Sequence, residues 1–189
     1  MRGLRLLTLG LVSTLAMFAA RPAQAGILLE PYLGYELGTM TYTGVSPNVN
    51  FSLSSAALGV RAGVTFPIIF VAADYSMLVG GKMTQDDAAS TKWDATGSQL
   101  FAEVGAQLPL IRAYIGYGLM NTLEGTSNGT TNKDEGGTAI KVGVGTTFFP
   151  LVAVNLEYIM SNYDKYNGNS PSDTKSNFYM LNVSLPLNL

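Results

Sequence analysis

The chain of 189 residues contains no cysteine and no histidine. The first absence excludes disulfides, thiolate metal sites, catalytic thiols and lipid attachment through an N-terminal cysteine. The second removes the commonest general base, so a serine nucleophile would need Lys or a carboxylate beside it, and no Ser-x-x-Lys spacing falls within a strand-like segment. We expect no catalytic residue, no cofactor and no metal. Charged residues make up only 13% of the chain and no basic run occurs, which argues against nucleic acid as a partner. After residue 25 no charge-free apolar stretch reaches the length of a spanning helix, since even Ala56 to Ala73 is broken by Arg61 and Pro67. If this chain enters a membrane, it does so as strands.

What is present begins with Arg2 and Arg5, an apolar run from Leu6 to Ala20, and Ala23-Gln24-Ala25. This order of basic, apolar and small residues predicts a cleaved secretory signal over residues 1–25. Removal of that segment leaves 164 residues, enough for one domain over 26–189, with 8 basic against 13 acidic residues.

Three Pro-centred stretches punctuate the rest: Thr65-Phe66-Pro67-Ile68-Ile69, Gln107-Leu108-Pro109-Leu110-Ile111 and Phe148-Phe149-Pro150-Leu151-Val152, with the prolines 42 and 41 residues apart. Proline cannot donate to a β ladder, so each reads as a reversal between two apolar strands. Leu185-Pro186-Leu187 reads as a fourth copy closing the chain. Each interval then holds a strand going out, a polar loop and a strand coming back, the plan of an up-and-down meander. The loops are expected near Thr43 to Phe51, Gly80 to Gly97, Thr122 to Gly136 and Asn162 to Ser176, where Asn, Ser, Thr, Gly and Asp gather.

Eight segments alternate with period two. The first sets Leu29, Pro31, Leu33, Tyr35 and Leu37 against Glu30, Tyr32, Gly34, Glu36 and Gly38; the fifth sets Ile111, Ala113, Ile115, Tyr117 and Leu119 against Arg112, Tyr114, Gly116, Gly118 and Met120. All the charges in these segments, Glu30, Glu36, Arg61, Asp74, Glu103, Arg112, Lys141 and Glu157, fall on the less greasy parity. A soluble sandwich would carry that parity outside. Three features place it inside instead: the greasy parity is unbroken in every segment, short turns alternate with longer loops, and aromatic residues recur at fixed heights. Tyr75, Tyr117 and Tyr158 each stand eight residues after a turn proline. Eight tilted residues span roughly 20 Å, so these tyrosines would form one aromatic girdle, with Phe66 and Phe148 supplying the opposite one.

The sequence therefore predicts an all-β, eight-stranded antiparallel transmembrane barrel. Its interior charges should pair, because an uncompensated buried charge costs several kcal/mol. Arg61 and Asp74 are expected opposite one another across the first Pro turn, Lys141 and Glu157 as diagonal neighbours, and Glu103 and Arg112 flanking the second turn with more offset. Inward glycines, among them Gly34, Gly59, Gly105 and Gly143, leave room for water pockets. The loops also hold the single Trp93 and the adjacent carboxylates Asp86 and Asp87, Asp134 and Glu135, which suit a divalent cation or the Lys and Arg of a partner but read first as solvated loop charge, while Asn128-Gly129-Thr130 reads as a tight turn rather than a glycosylation site.

On the signal, the eight alternating segments, the turn and loop asymmetry and the apolar last segment, the chain resembles the small eight-stranded outer-membrane barrels, the group that includes OmpX, OmpW and the OmpA transmembrane domain. It departs from many of them in ending Leu187-Asn188-Leu189 rather than on an aromatic residue. The resemblance implies an integral protein of the outer membrane of a Gram-negative cell envelope, exported through a cleaved signal. It also implies contact with outer-membrane lipid and lipopolysaccharide, and delivery by periplasmic chaperones to the barrel-insertion machinery. It leaves open a structural or surface-interaction role through four external loops, a narrow pore or OmpW-like route for small solutes or apolar compounds, and service as an adhesin or receptor.

Overall fold

A computed structural model of the chain describes residues 25–43, 48–86, 92–146, 151–169 and 173–189. Most of the predicted signal, together with Asp87, Phe148 and Pro150, lies outside the described residues. The strands are β1 (Gly26–Tyr42), β2 (Val49–Thr65), β3 (Ile69–Gln85), β4 (Lys92–Gln107), β5 (Ile111–Ser127), β6 (Thr130–Glu135), β7 (Thr138–Thr146), β8 (Ala153–Asn162), β9 (Lys165–Tyr166), β10 (Thr174–Ser184) and β11 (Leu187–Asn188). β1, β2, β3, β4, β5, β7, β8 and β10 pair antiparallel in that order, and β10 pairs back onto β1. The result is a closed eight-stranded antiparallel barrel, a form that leaves no sheet edge unpaired.

The Pro turns explain one end. Phe66 N–H donates to the Ile69 carbonyl at 2.7 Å and Leu108 N–H to the Ile111 carbonyl at 2.8 Å, so Pro67-Ile68 and Pro109-Leu110 are two-residue reversals that place each proline where no donor is required. Pro186 is different. The chain does not turn there: Leu187 and Asn188 continue alongside β1, opposite Leu29 and Leu28, and Leu189 exchanges backbone hydrogen bonds with Ile27. Proline interrupts one rung and the closing strand goes on past it.

The other end departs from the expected loops. β3, β4 and β5 carry their ladders far beyond the apolar band, and Asn128 (φ 50) with Gly129 (φ 79) closes a tight hairpin between β5 and β6. Both central residues have positive φ, the pattern of a type I′ turn. β6 covers the outer half of β5 while β7 covers the inner half. β6 in turn pairs with β9, so most of the expected third loop and a short piece of the fourth are pleated wall. Polar composition suggested loops there because Thr, Lys and Asn on a strand facing water leave no alternation of greasy and polar residues to read.

Two bulges shift the parity. Between Leu78 and Gly81 in β3 and between Gly118 and Met120 in β5 the register slips, so Leu119 and Met120 both face outward. The expected inward position of Met120 is thereby corrected: an extra residue on one strand turns the next side chain to the other face.

The outward face is apolar from the Pro turns upward, with Ile27, Leu33, Val64, Ile69, Val104, Ile115, Val144, Leu156 and Leu181 all exposed. An apolar belt of this extent has no stable place in water and matches a hydrocarbon layer. Tyr75, Tyr117 and Tyr158 lie on this face, and Tyr35 and Tyr179 join them around the wall. Tyr158 and Tyr179 are cross-strand partners with ring centroids 4.8 Å apart, and the Tyr158 hydroxyl donates to Asn177 Oδ1 at 3.2 Å. Phe66 is exposed at the opposite end.

Candidate functional site

The interior is filled, and its middle is charged. Glu30, Arg61, Asp74, Lys141 and Glu157 have no solvent exposure, and Glu36, Glu103 and Arg112 have at most 2%. Arg61 is the hub. Its Nε donates to Glu103 Oε2 at 2.6 Å, Nη1 to Glu30 Oε1 at 3.2 Å, and Nη2 to Asp74 Oδ2 at 2.9 Å and Glu157 Oε1 at 3.0 Å. The fork of the guanidinium lets one cation serve four carboxylates from four strands, which a lysine ammonium would do with less directional control. Lys141 Nζ lies 2.9 Å from Asp74 Oδ2, 3.3 Å from Glu157 Oε2 and 3.4 Å from Glu103 Oε1. Arg112 grips Glu30 with both Nη atoms, at 2.7 and 2.6 Å, and donates through Nε to Asn155 Oδ1 at 2.9 Å.

These positions follow from the register. Arg61 and Asp74 are direct cross-strand partners, and Lys141 and Glu157 sit diagonally, Lys141 facing Ile159 and Gly143 facing Glu157. Glu103 and Arg112 are not brought together: Glu103 faces Gly116, Arg112 faces Gln107, and each reaches across the lumen to a charge on another strand. Reach across the lumen depends on barrel closure and could not be read from hairpin offsets. Glu36 joins none of the ion pairs among the described residues, and its Oε1 lacks a hydrogen-bond partner.

Aromatic rings complete the plug. The Tyr32 hydroxyl donates to Asp74 Oδ1 at 2.7 Å and the Tyr114 hydroxyl to Glu157 Oε1 at 2.6 Å. The Arg61 guanidinium carbon stands 4.7 Å from the Tyr114 ring centre and 5.5 Å from that of Tyr32, while Lys141 Nζ is 4.3 Å from the centre of Phe101. These rings occupy the space above inward glycines. A Cβ at Gly59 would lie 2.2 Å from the Tyr32 ring, and one at Gly143 the same distance from the Tyr114 ring. The expectation that such glycines leave water pockets is corrected: they admit rings that hold the ionised groups. The missed signal was inward Tyr32 and Tyr114 standing directly opposite Gly59 and Gly143.

Above the plug, toward the loop side, the interior becomes apolar around Phe101, Ile159, Phe178, Met180 and Leu53. It then opens into a cavity of about 350 Å³ at the mouth. Its wall includes Met40, Tyr42, Phe51, Met83, Trp93 and Tyr166 together with Asp134 and Asn132. Tyr42 and Tyr166 hold their ring centres 6.1 Å apart at 43°. Asp134, expected as solvated loop charge, is instead part of this wall and only 4% exposed, and Trp93, expected in a loop, stands beside it on β4. Sequence reading missed the cavity because its wall is built from the hairpin extensions. On the outer surface nearby, Lys133 pairs with Glu135 at 2.8 Å; the hydrogen bond from Lys133 holds the Glu135 carboxyl below its ordinary value and raises that of the lysine. Among the described residues no group of three or more acidic side chains is placed to hold a metal ion.

The sequence matches the family described as outer membrane protein beta-barrel domain over residues 10–185. No curated relative matches the sequence. Among solved structures, Neisserial surface protein A is 16% identical with a TM-score of 0.55, the alignment covering 87% of this chain and 99% of that one. Ail, the attachment invasion locus protein of Yersinia pestis, is 14% identical with a TM-score of 0.58, covering 86% and 99%. The outer membrane protein OprG from Pseudomonas aeruginosa is 11% identical with a TM-score of 0.55, covering 88% and 98%. At these identities the likeness is one of fold.

Proposed function

The chain belongs to the outer membrane protein β-barrel family, whose members reside in the outer membrane, and from that premise we propose that it is a sealed, non-catalytic barrel acting at the cell surface through its loop-side end. The observation that carries this reading is the plug: seven charged side chains from seven strands, bridged to one another with at most 2% exposure, occupy the middle of the lumen. A conducting path would require these ion pairs to part, each at a cost of several kcal/mol. The mouth, in contrast, holds a formed cavity and a wall of pleated hairpins suited to presenting a fixed surface.

In this reading residues 1–25 are a cleaved export signal, and periplasmic chaperones and the insertion machinery deliver the rest. The apolar belt and tyrosine girdle meet outer-membrane lipid and lipopolysaccharide. The external hairpins carry the adhesive or receptor role, and no reaction is catalysed. Planar-bilayer recordings of the refolded protein test the sealed lumen: the expected result is no discrete current above that of protein-free bilayers, and steady unitary currents would overturn it in favour of a pore. Replacing the β5–β6 hairpin by a short turn at the membrane surface is expected to reduce surface binding while leaving insertion intact.

A further inference from the structure

We propose that the loop-side cavity is a binding site for a small amphipathic organic cation, an apolar body carrying an ammonium group. The proposal rests on the sealed-barrel reading, since it treats the mouth as a pocket with a floor. Two observations converge on it. The wall is lined by the aromatic residues Tyr42, Phe51, Trp93 and Tyr166 together with Met40 and Met83. Such a surface takes an apolar body and attracts a desolvated ammonium through the ring quadrupoles, while methionine adapts to its shape.

The charge has the matching sign. Asp134 stands in the wall opposite Tyr166 on β9. Asp134 is engaged within that wall, and its charge rather than a vacant lone pair is what the cation senses. At about 350 Å³ the cavity is of a size that encloses a single small molecule.

Trp93 is the chain's single tryptophan, so its emission reports this wall alone. The refolded full barrel would be titrated in two detergents with butyrylcholine, which combines a quaternary ammonium with an ester carbonyl, and with its neutral isostere 3,3-dimethylbutyl butyrate. The expected result is a saturable change in Trp93 emission by butyrylcholine, about tenfold tighter than by the neutral ester. Asp134→Asn should remove most of that preference and leave the weaker binding of the ester, and Tyr166→Leu should weaken the cation if the Asp134 variant does not migrate as a folded barrel. Equal affinity for the two esters, a change that does not saturate, or an unaltered preference in a folded Asp134→Asn barrel would overturn the proposal. Silent bilayers with no choline binding would discard the cation site and leave the sealed barrel standing, whereas unitary currents would remove the floor on which both depend.

Discussion

Arg61 is where the stability of the lumen is concentrated. Opposite a single aspartate its loss would cost about 1 to 3 kcal/mol, the penalty for one stranded partner. The structure gives it four carboxylates within 3.2 Å, three of which share no cation but Lys141 with it. Arg61→Ala should therefore lower the stability of the refolded barrel by about 3 to 5 kcal/mol, read from the urea midpoint of Trp93 emission in lipid vesicles. A shift no larger than that of a surface variant would show that water enters and screens the acids. Lys133→Ala is the matching surface variant. Glu135 has a depressed carboxyl, so its pairing contributes above the ordinary carboxylate value and fades as pH falls through the lowered one. Both partners are solvent-screened, and the midpoint should not move measurably. The Arg61–Asp74 pairing was legible from the sequence, since it needs only the turn and a count along two strands. The links from Arg61 to Glu103 and Glu157 were not, because they cross the lumen between strands far apart in the chain.

Among the elements, the apolar halves of the strands were legible and the outer halves were not. Period-two alternation in β1, β2, β3 and β10 follows from one face meeting lipid and the other the plug, two environments that demand different side chains. Beyond the tyrosine level both faces meet water or a mixed cavity, and the alternation fades although the ladder continues through Gln85 in β3 and Ser127 in β5. The bulges in β3 and β5 were equally hidden: one inserted residue leaves no compositional trace apart from Gly80 in β3. The β5–β6 hairpin is a separable unit held by its turn. Gly129 has φ 79, where a β-branched side chain is strained, so Gly129→Val should open the hairpin by about 1 kcal/mol or more. The expected readout is faster protease cleavage between Ser127 and Glu135 with a shifted Trp93 emission, because Asn132 and Asp134 leave the cavity wall. The global urea midpoint should stay in place, since the hairpin lies outside the plugged section. A lowered midpoint with uncleaved hairpin would show that the extension folds as one unit with the barrel.

For the whole molecule, charge and apolar surface are partitioned so that only one orientation suits a bilayer. The plug holds its ions away from lipid, the belt carries none, and the remaining lysines, Lys82, Lys92, Lys133, Lys165 and Lys175, all stand on the loop-side half with their acidic neighbours. The Pro-turn rim formed by Phe66, Ile68, Leu108 and Leu110 bears no charged side chain, so the charged hairpins and the uncharged rim lie at opposite ends of the apolar belt. The eight strands that close the barrel are tied to the same ionic hub, seven through charged side chains and β10 through Asn182, which donates to Glu157, so that the closed barrel should open cooperatively rather than one wall strand at a time. The expected consequence is a compact band on a detergent gel when the sample is kept cool and a slower-migrating one after boiling, with no intermediate band. Pairing Arg61→Ala with Lys141→Met should lower the temperature of that switch while β-rich circular dichroism persists below it, because the wall hydrogen bonds remain and the lock that couples them is gone. A monomer that stays soluble without detergent, or a switch temperature unmoved by losing both cations, would contradict a barrel held shut by its charged core.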